Sequence, residues 1–303
     1  TYRGVFGSHV ANVIRRLKRI CNFYGSNPTF ICTSATIANP KELAEQLTGE
    51  SFHLINNNGA PSSKKHFIFY NPPIVNKPLN IRRSATLEVR NLASEFLKQK
   101  IQTIIFAKSR VRVEILLTYL QDLVKKELGT KSIRGYRGGY LPTQRREIEK
   151  GLRNGEIYGV VSTNALELGV DIGQLQVCIM TGYPGTIASA WQQAGRAGRR
   201  QGEAVIIMVA SSNPLDQYVI QHPDFFLKSN PETARINPNN LIILVDHIKC
   251  AAYELPFKQG ETFDGVELDD VLEYLTEERV LHENNGKWYW MNDAFPAHNI
   301  SLR

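Results

Sequence analysis

Long apolar runs are missing from this 303-residue sequence. None approaches the roughly 20 consecutive apolar residues that a membrane-spanning helix needs, and no basic segment followed by an apolar signal stretch stands at the start. With 42% apolar and 21% charged residues, the chain has the composition of a globular protein that can bury a core. We therefore expect a cytoplasmic protein of two or three domains that has no membrane partner.

Cysteine is also scarce, and its spacing is wide. The cysteines are Cys21, Cys32, Cys178 and Cys250. This spacing fits neither the paired short intervals that are typical of zinc sites nor a disulfide framework. We expect reduced thiols and no metal bound by cysteine.

Positive charge, in contrast, is in excess. The formal net charge is +7 and the pI is near 9.2, which fits a polyanionic partner such as nucleic acid. For each local cluster taken alone, a solvated helix face is an equal alternative. The clusters are Arg15, Arg16, Lys18 and Arg19; Arg145 and Arg146; and Arg196, Arg199 and Arg200.

Residues 1–70 contain α/β elements that are too few for a whole domain. A helix is predicted over 8–24, where apolar residues from Val10 to Ile20 recur at helical spacing and the arginines fall on the other face. The further predicted elements are a strand in TFICTS, a helix in KELAEQL that ends at Gly49, and strands at 51–55 and 66–70.

A proline-containing stretch at 71–84 predicts a linker between bodies, and beyond it helices alternate with apolar strands up to residue 237. Continuous apolar strands between helices indicate a doubly wound parallel sheet that is covered on both faces. The predicted helices are 85–99, 110–127, 142–153 and 186–195. The predicted strands are 103–107, 131–136, 158–163, 176–180 and 203–210.

Residues 238–303 change to helices followed by a short aromatic strand. The helix LDDVLEYLTEERVL leads through HENNG into KWYWM, an order that predicts a small winged-helix-like module. Trp288, Tyr289 and Trp290 then belong to the core of the wing, or alternatively stack on bases and separate strands.

The segment QQAGRAGRR, residues 192–200, carries the most specific pattern in the sequence. Arg196 and Arg199 are three residues apart on one helical face, and Gly195 and Gly198 permit close approach of another surface. Fixed charge and forked donors let arginine match phosphate oxygens and stabilise charge on a transferred phosphoryl group. The pair is predicted to face a phosphate across a cleft; a solvated basic helix end is the alternative.

Four segments in series resemble the helicase motifs of superfamily 2, in residues and in order. They are SAT at 34–36 for motif III, TIIFAKSR at 103–110 for motif IV, VVSTNALELGVDIG at 160–173 for motif V and QQAGRAGRR for motif VI. The resemblance implies two RecA-like lobes that bind ATP between them. It assigns 1–70 to the C-terminal remnant of lobe 1, 71–84 to the interlobe linker, 85–237 to lobe 2 and 238–303 to the winged-helix-like module.

The same resemblance assigns roles to individual residues. Arg199 is the best candidate for the arginine finger, with Arg196 and Gln192 beside it as catalytic residues. Gly169 and Asp171 are expected to bind the nucleotide together with the two arginines. Asp171 is similar to the acid that faces the nucleotide ribose, although a turn cap is the alternative for it. Ser34, Ala35 and Thr36 are expected to couple hydrolysis to movement.

A nucleic-acid track is implied between motifs IV and V, where YRGGYLPTQRREIEKGLRNGE occupies residues 136–156. Glycines let the backbone approach a phosphate, and such contacts bind without reading bases. A plain turn and surface helix is the alternative. The expected nucleic-acid-binding residues are Ser109, Arg110, Arg137, Gly138, Gly139, Arg145, Ser162 and Thr163.

The segment TYRGVFGSHVANVIRRLKRI, together with TSATIANP, narrows the resemblance. It resembles the superfamily 2 DEAD/DEAH-like helicases of the mitomycin repair factor A (MrfA/YprA) family, which are related to RecQ4-like helicases. The family implies a 3′ to 5′ DNA helicase that acts in DNA repair on single-stranded or 3′-tailed DNA. The alternatives are a non-catalytic nucleic-acid-binding or regulatory module, an RNA helicase and a duplex translocase.

Neither GxxxxGK[ST] nor a DExH box occurs in the sequence. These motifs would hold the β- and γ-phosphates of ATP and its Mg²⁺. We therefore expect the main ligands of ATP and Mg²⁺ to lie outside this chain, which alone should not hydrolyse ATP.

Overall fold

The computed structural model describes residues 2–59, 64–168, 170–173, 175–198 and 202–302. Within these ranges the helices are α1 (Gly4–Phe23), α2 (Pro40–Thr48), α3 (Ala85–Lys98), α4 (Arg110–Leu128), α5 (Pro142–Arg153), α6 (Ile187–Ala194), α7 (Pro214–Gln221), α8 (Pro223–Lys228), α9 (Leu241–Glu254) and α10 (Asp269–Glu277). The strands are β1 (Lys64–Tyr70), β2 (Ile74–Asn76), β3 (Ile81–Arg82), β4 (Thr103–Phe106), β5 (Ile133–Tyr136), β6 (Gly159–Ser162), β7 (Val177–Thr181), β8 (Glu203–Val209), β9 (Phe257–Lys258), β10 (Leu281–Asn284) and β11 (Lys287–Trp290).

The chain forms two compact units, residues 57–232 and residues 1–56 with 233–303. None of the helices in the described part of the chain is long and apolar enough to cross a membrane.

A parallel sheet organises the unit of residues 57–232. Its strands, as far as the structure describes them, lie in the order β1-β8-β7-β4-β6-β5. Alternate residues of β4 enter different cores, Ile104 and Phe106 in one and Ile105 in the other, because successive side chains point to opposite faces. The predicted doubly wound α/β fold is confirmed.

Strand β1 corrects the predicted boundary at residue 70. It pairs in parallel with β8, from Lys64 opposite Glu203 to Tyr70 opposite Val209, and so extends the sheet assigned to lobe 2. Phe67 packs with its ring centroid 5.6 Å from that of Phe226, inside one of the two cores. The apolar pattern predicts that residues 66–70 form a strand. It does not predict which sheet the strand joins, because that depends on which sheet has an unpaired edge strand beside it.

The second unit contains the winged helix and the first helix of the chain. Strands β10, β11 and β9 form an antiparallel sheet that packs with α9 and α10 around Phe257 and Phe263. The predicted winged helix is confirmed. Trp288 and Trp290 are half-buried against this core, whereas Tyr289 is exposed.

Helix α1 buries the face that was predicted to be exposed. Arg15 and Arg19 are buried at 8% and 9% exposure, whereas Val13 and Leu17 are 46% and 48% exposed. The Arg19 guanidinium donates to Glu261 at 2.7 Å and lies 3.8 Å from the centroid of the Phe257 ring. A buried guanidinium needs such partners, and acidic residues of the winged helix provide them. This basic cluster is therefore neither solvated nor free for nucleic acid.

Two predicted strands, TFICTS and residues 51–55, do not form in the described residues. Ile31 is 88% exposed, and Cys32 beside it is exposed as well. A strand needs a neighbour for its backbone hydrogen bonds, and the described part of this unit offers these segments none.

A buried histidine pair lies between α1 and α9. Nδ1 of His9 is 3.0 Å from Nε2 of His247, and Nη1 of Arg16 is 3.3 Å from Nδ1 of His247. Since the guanidinium can only donate, His247 accepts at Nδ1 and carries its proton on Nε2. Burial, then the charge of Arg16 and of His9, lowers the pKa of His247 to about 3.

This histidine makes stability depend on pH. Because the fold favours the neutral ring, the unfolded chain binds more protons between its ordinary pKa of 6.5 and about 3, and stability falls as the pH falls through that window. We expect the free energy of unfolding to drop by about 1–2 kcal/mol from about pH 6.5 to 5. Urea unfolding followed by the fluorescence of Trp288 and Trp290 in a Trp191→Phe background measures it.

The His247→Gln variant should remove this drop, because most carboxylates remain ionised above about pH 5. His222→Gln, which changes an exposed histidine of the other unit, is the matched control and should keep it. An unchanged drop in His247→Gln contradicts the assignment.

Candidate functional site at the carboxyl edge of the sheet

Parallel strands bring the residues that follow them to one edge of the sheet. Ser109 and Arg110 follow β4, Arg137 follows β5, and Thr163 follows β6. The structure thus gathers along one edge segments that are far apart in the sequence: Ser109 and Thr163 are separated by 54 positions. Gly138 and Gly139 join them in the loop between β5 and α5.

Ser109 shapes the start of α4. Its Oγ accepts from the backbone N–H of Arg112 at 3.3 Å, which satisfies one of the free donors of the first helical turn. Arg110 and Arg112 are exposed in that turn. The role of Ser109 visible here is that of an N-cap, while Arg110 is open to a ligand.

Arg137 is held in place by α4. Its Nε donates to Oε1 of Glu114 at 2.9 Å, and its guanidinium lies 4.9 Å from the centroid of the Tyr140 ring. Gly138 and Gly139 beyond it are exposed, and a Cβ added to Gly138 would meet nothing within 4 Å. The predicted approach of a phosphate to this backbone is therefore sterically open.

Helix α5 begins at Pro142, as predicted, and is tied to β5 by Tyr136. The hydroxyl of Tyr136 donates to Oε1 of Glu149 at 2.7 Å, and burial, aided by this bond, raises the pKa of Tyr136 to about 12. Arg145 is half-buried, and its Nε has no partner among the residues described, whereas Arg146 is exposed. Of the two arginines, Arg146 is the more open to a polyanion.

Ser162 does not present its hydroxyl at the surface, which corrects the prediction that this group contacts a phosphate. The residue is 0% exposed, and its Oγ has no hydrogen-bond partner in the described part of the chain. Its side chain is shielded from solvent because β6 is buried on both faces. Thr163 is half-buried, and its Oγ1 accepts from the N–H of Ala165 at 3.5 Å.

Arg196 joins motif VI to motif V. Its guanidinium donates to the carbonyl of Glu167 at 2.6 and 3.1 Å and to that of Val170 at 2.7 Å, and the residue is 6% exposed. In this structure Arg196 therefore does not project across a cleft. The carbonyls of Glu167 and Val170 accept from Arg196 here, and its role towards a phosphate stays a prediction.

The side chain of Glu167 completes this junction. Its Oε2 accepts from Oγ of Ser189 at 2.7 Å and from Nε2 of Gln193 at 3.1 Å, both on α6. At the start of α6, the carboxylate of Glu232 accepts from the N–H groups of Ile187 and Ala188 at 2.6 and 3.0 Å. Glu167 thus ties Ser189 and Gln193 of α6 to the motif V loop, and Glu232 caps the start of the helix.

Asp171 is exposed on the same loop. Its Oδ1 accepts from the N–H of Gly173 at 3.2 Å, and Nη1 of Arg153 donates to its carbonyl at 2.7 Å. Gly173 has φ +82°, a conformation that favours glycine. This is the turn-cap geometry that we considered as the alternative for Asp171.

The remaining predicted site residues lie on α6, outside the described residues, or in the other unit. Gln192 is half-buried on α6. Gly169 and Arg199 lie outside the described residues, so their roles stay predictions. Ser34, Ala35 and Thr36 lie in the other unit, where Ser34 and Ala35 are exposed and Thr36 is half-buried. In the described ranges, no group of three or more His, Cys, Asp and Glu side chains is arranged to hold a metal ion.

Sequence reasoning missed the carboxylates that position the site. Glu114 orients Arg137, Glu167 joins α6 to motif V, and Asp216 is hydrogen-bonded at the carboxyl edge. The single signal in the sequence was that Glu167 lies inside the motif V segment. Glu114 is 23 positions from Arg137, and Asp216 is 33 positions from Tyr183 and 108 from Lys108, so spacing alone could not reveal these contacts.

The conserved domains agree with this geometry. Residues 88–201 match the helicase conserved C-terminal domain, and residues 236–303 match the winged helix domain of ATP-dependent helicase HRQ1. The class is therefore that of helicases in which a winged helix follows the C-terminal helicase domain.

Within that class, the chain belongs to the MrfA/YprA family of helicases. It is 74% identical over all 303 residues to the uncharacterized ATP-dependent helicase YprA of Bacillus subtilis (strain 168) and spans 40% of that protein. The crystal structure of the DUF1998 helicase MrfA bound to DNA and AMPPNP matches the whole chain with a TM-score of 0.97 at 73% identity, over 42% of its own length. The ATP-dependent helicase hrq1 of Schizosaccharomyces pombe is 36% identical over the whole chain, which spans 29% of it.

The junction at Arg196 leads to a stability prediction. In Arg196→Gln, the carbonyls of Glu167 and Val170 lose their buried cationic donor, so the unit of residues 57–232 should lose about 2–4 kcal/mol. Denaturant unfolding followed by the fluorescence of Trp191 measures the loss. Arg112→Gln removes an exposed guanidinium and is the control. Equal stability of the two variants contradicts a stabilising role for the contacts of Arg196 with Glu167 and Val170.

Proposed function

We propose that this chain is part of an ATP-dependent 3′ to 5′ DNA helicase that acts in DNA repair. The observation that carries the proposal is the fixed junction between motifs V and VI beside an open basic edge of the same sheet. A motor needs these two properties together, since the nucleotide and the nucleic acid must act on one rigid body. The match to MrfA bound to DNA and AMPPNP supports both ligands.

The nucleotide side of the site is proposed to use Arg199 as the arginine finger. Arg196 joins the motif V loop to the segment after α6, and it is proposed to position Arg199. Asp171 is exposed on this loop and is proposed to face the ribose. Gln192 is proposed to lie near the γ-phosphate. ATP supplies the phosphoryl group whose transfer drives the opening and closing of the lobes.

The nucleic-acid side is proposed to be the carboxyl edge of the sheet. Arg110, Arg137 and the glycine loop offer donors and open backbone to phosphates. Contacts of this kind set the register of the strand and carry no base specificity. Binding should therefore depend strongly on salt and little on sequence.

The chain spans 40% of the length of YprA, and the whole activity is proposed to need parts that this chain does not supply. Residues 1–56 are proposed to derive from lobe 1, and the phosphate grip and the Mg²⁺ ligands are proposed to lie outside this chain. Strand separation on 3′-tailed DNA and RNA duplexes tests the proposal. Unwinding of DNA supports it; unwinding of RNA alone, or ATP hydrolysis without strand separation, overturns the assignment as a DNA helicase.

The arginine finger has a direct kinetic test in the longer protein. Arg199→Ala should lower DNA-stimulated ATP hydrolysis by about 10³-fold or more, because an arginine finger contributes about 10³–10⁵ to turnover. Binding of DNA, measured by fluorescence anisotropy, should change little. Arg134→Ala, on the edge strand β5, is the matched control and should hydrolyse ATP normally. Normal turnover in Arg199→Ala contradicts the assignment.

The arginines of α5 have an equilibrium test. Replacing Arg145 and Arg146 by alanine should weaken binding to all sequences, and Arg146 should account for most of the change because it is exposed. Each lost phosphate contact should reduce the slope of log K against log salt by about 0.7 on single-stranded DNA. Lys150→Ala, in the last turn of α5, is the control. A full salt slope in the double variant rejects the contact.

A further inference from the structure

A buried carboxylate joins the ends of three strands at the carboxyl edge. Asp216, in the first turn of α7, is 1% exposed. Its Oδ1 accepts from the N–H of Tyr183, after β7, at 3.0 Å and from Nζ of Lys108, after β4, at 3.1 Å. Its Oδ2 accepts from the N–H and the Oγ of Ser211, after β8, at 3.0 and 2.5 Å.

The backbone around this carboxylate is adapted to it. Gly182 has φ +82°, and a Cβ added there would lie 2.5 Å from Oδ2 of Asp216 and 2.6 Å from Nζ of Lys108. Asn213 caps α7 by accepting from the N–H of Leu215 at 2.9 Å, which fixes the helix turn that carries Asp216. The position of the Lys108 ammonium is therefore set by surrounding groups on several elements.

The charge arrangement leaves Lys108 available to a ligand. A buried carboxylate needs compensation, and two backbone N–H groups and a hydroxyl already provide three hydrogen bonds to Asp216. The Lys108 side chain is 38% exposed, and an ammonium has three donors, of which Asp216 accepts one. Ser109 and Arg110, the next two residues, are exposed at the same edge.

We propose that Lys108 is a further phosphate contact of single-stranded nucleic acid, and that Asp216 is the positioning residue that holds its ammonium at the carboxyl edge. The proposal rests on the proposed function, since it needs nucleic acid at this edge. The Lys108 side chain is 38% exposed and stands two positions before the exposed Arg110, so it is accessible to a ligand at this edge. The ligand group is the phosphodiester, whose oxygens accept from a fixed point charge.

The test is the binding of this chain to a fluorescein-labelled oligothymidylate, measured by anisotropy at several salt concentrations. Lys108→Gln should weaken binding about 3–10-fold and reduce the slope of log K against log salt by about 0.7, whereas Lys108→Arg should restore the slope. Lys125→Gln is the matched control, because the last turn of α4 lies at the opposite edge of the sheet. A wild-type slope in Lys108→Gln overturns the proposal.

A second measurement does not depend on the folding of a variant. On the wild-type chain, oligothymidylate should protect Lys108 at least about threefold from an amine-reactive label, read by mass spectrometry, and leave Lys125 unprotected. Equal labelling of Lys108 with and without DNA overturns the contact. If the wild-type chain bound no DNA at all, the proposed function would fail together with this contact; intact binding without protection would reject Lys108 alone.

The role of Asp216 has its own readout. Asp216→Asn keeps the charge of Lys108 but removes the carboxylate that holds it, so affinity should fall while the salt slope stays near that of the wild type. The amine should also react faster with the label in the absence of DNA, since it is no longer held. Unchanged affinity and labelling in a folded variant, checked by circular dichroism, would reject the positioning role.

Discussion

The guanidinium of Arg196 donates to the carbonyls of Glu167 and Val170, and the arrangement of the candidate site depends on this interaction. Those carbonyls belong to the motif V loop, which lies between β6 and β7. The buried cation between them ties the motif V loop to motif VI. Because the donors are charged and nearly excluded from water, each bond is stronger than a neutral one.

The same chemistry recurs in the other unit, where Arg19 donates to the carbonyls of Ala251 and Leu255 at 3.0 and 3.2 Å. In both units an arginine from a cluster that suggested contact with a polyanion is instead turned inwards. A planar guanidinium with five donors suits this use, since one group can satisfy several carbonyls at once. A basic cluster in a sequence therefore does not reveal whether its cations bind a polyanion or carbonyls and carboxylates of the same chain.

The fold of residues 85–209 was largely predictable from the sequence. Helix α5 has the predicted bounds of 142 and 153, and β4, β6, β7 and β8 fall within a residue or two of their predicted positions. Apolar runs of this length between helices have few alternatives to a buried parallel strand. The first 56 residues were less predictable: two apolar segments there form no strand, because a strand depends on a neighbour that its own sequence does not name.

The sequence alone determined the class of this protein, since the order of the helicase motifs and the alternation of strands and helices depend only on the residues along the chain. It also determined which loops meet at the carboxyl edge, because parallel strands leave no other place for them. Tertiary structure alone decided that Arg196 and Ser162 are buried, that Lys108 is held by Asp216, and that β1 joins the parallel sheet of residues 57–232. The partners in these contacts are 26 to 139 positions apart. Arg196 is 26 positions from Val170 and 29 from Glu167, Lys108 is 108 from Asp216, and Lys64 is 139 from Glu203. Burial and pairing are properties of the surroundings that the whole chain creates, and no local pattern contains them.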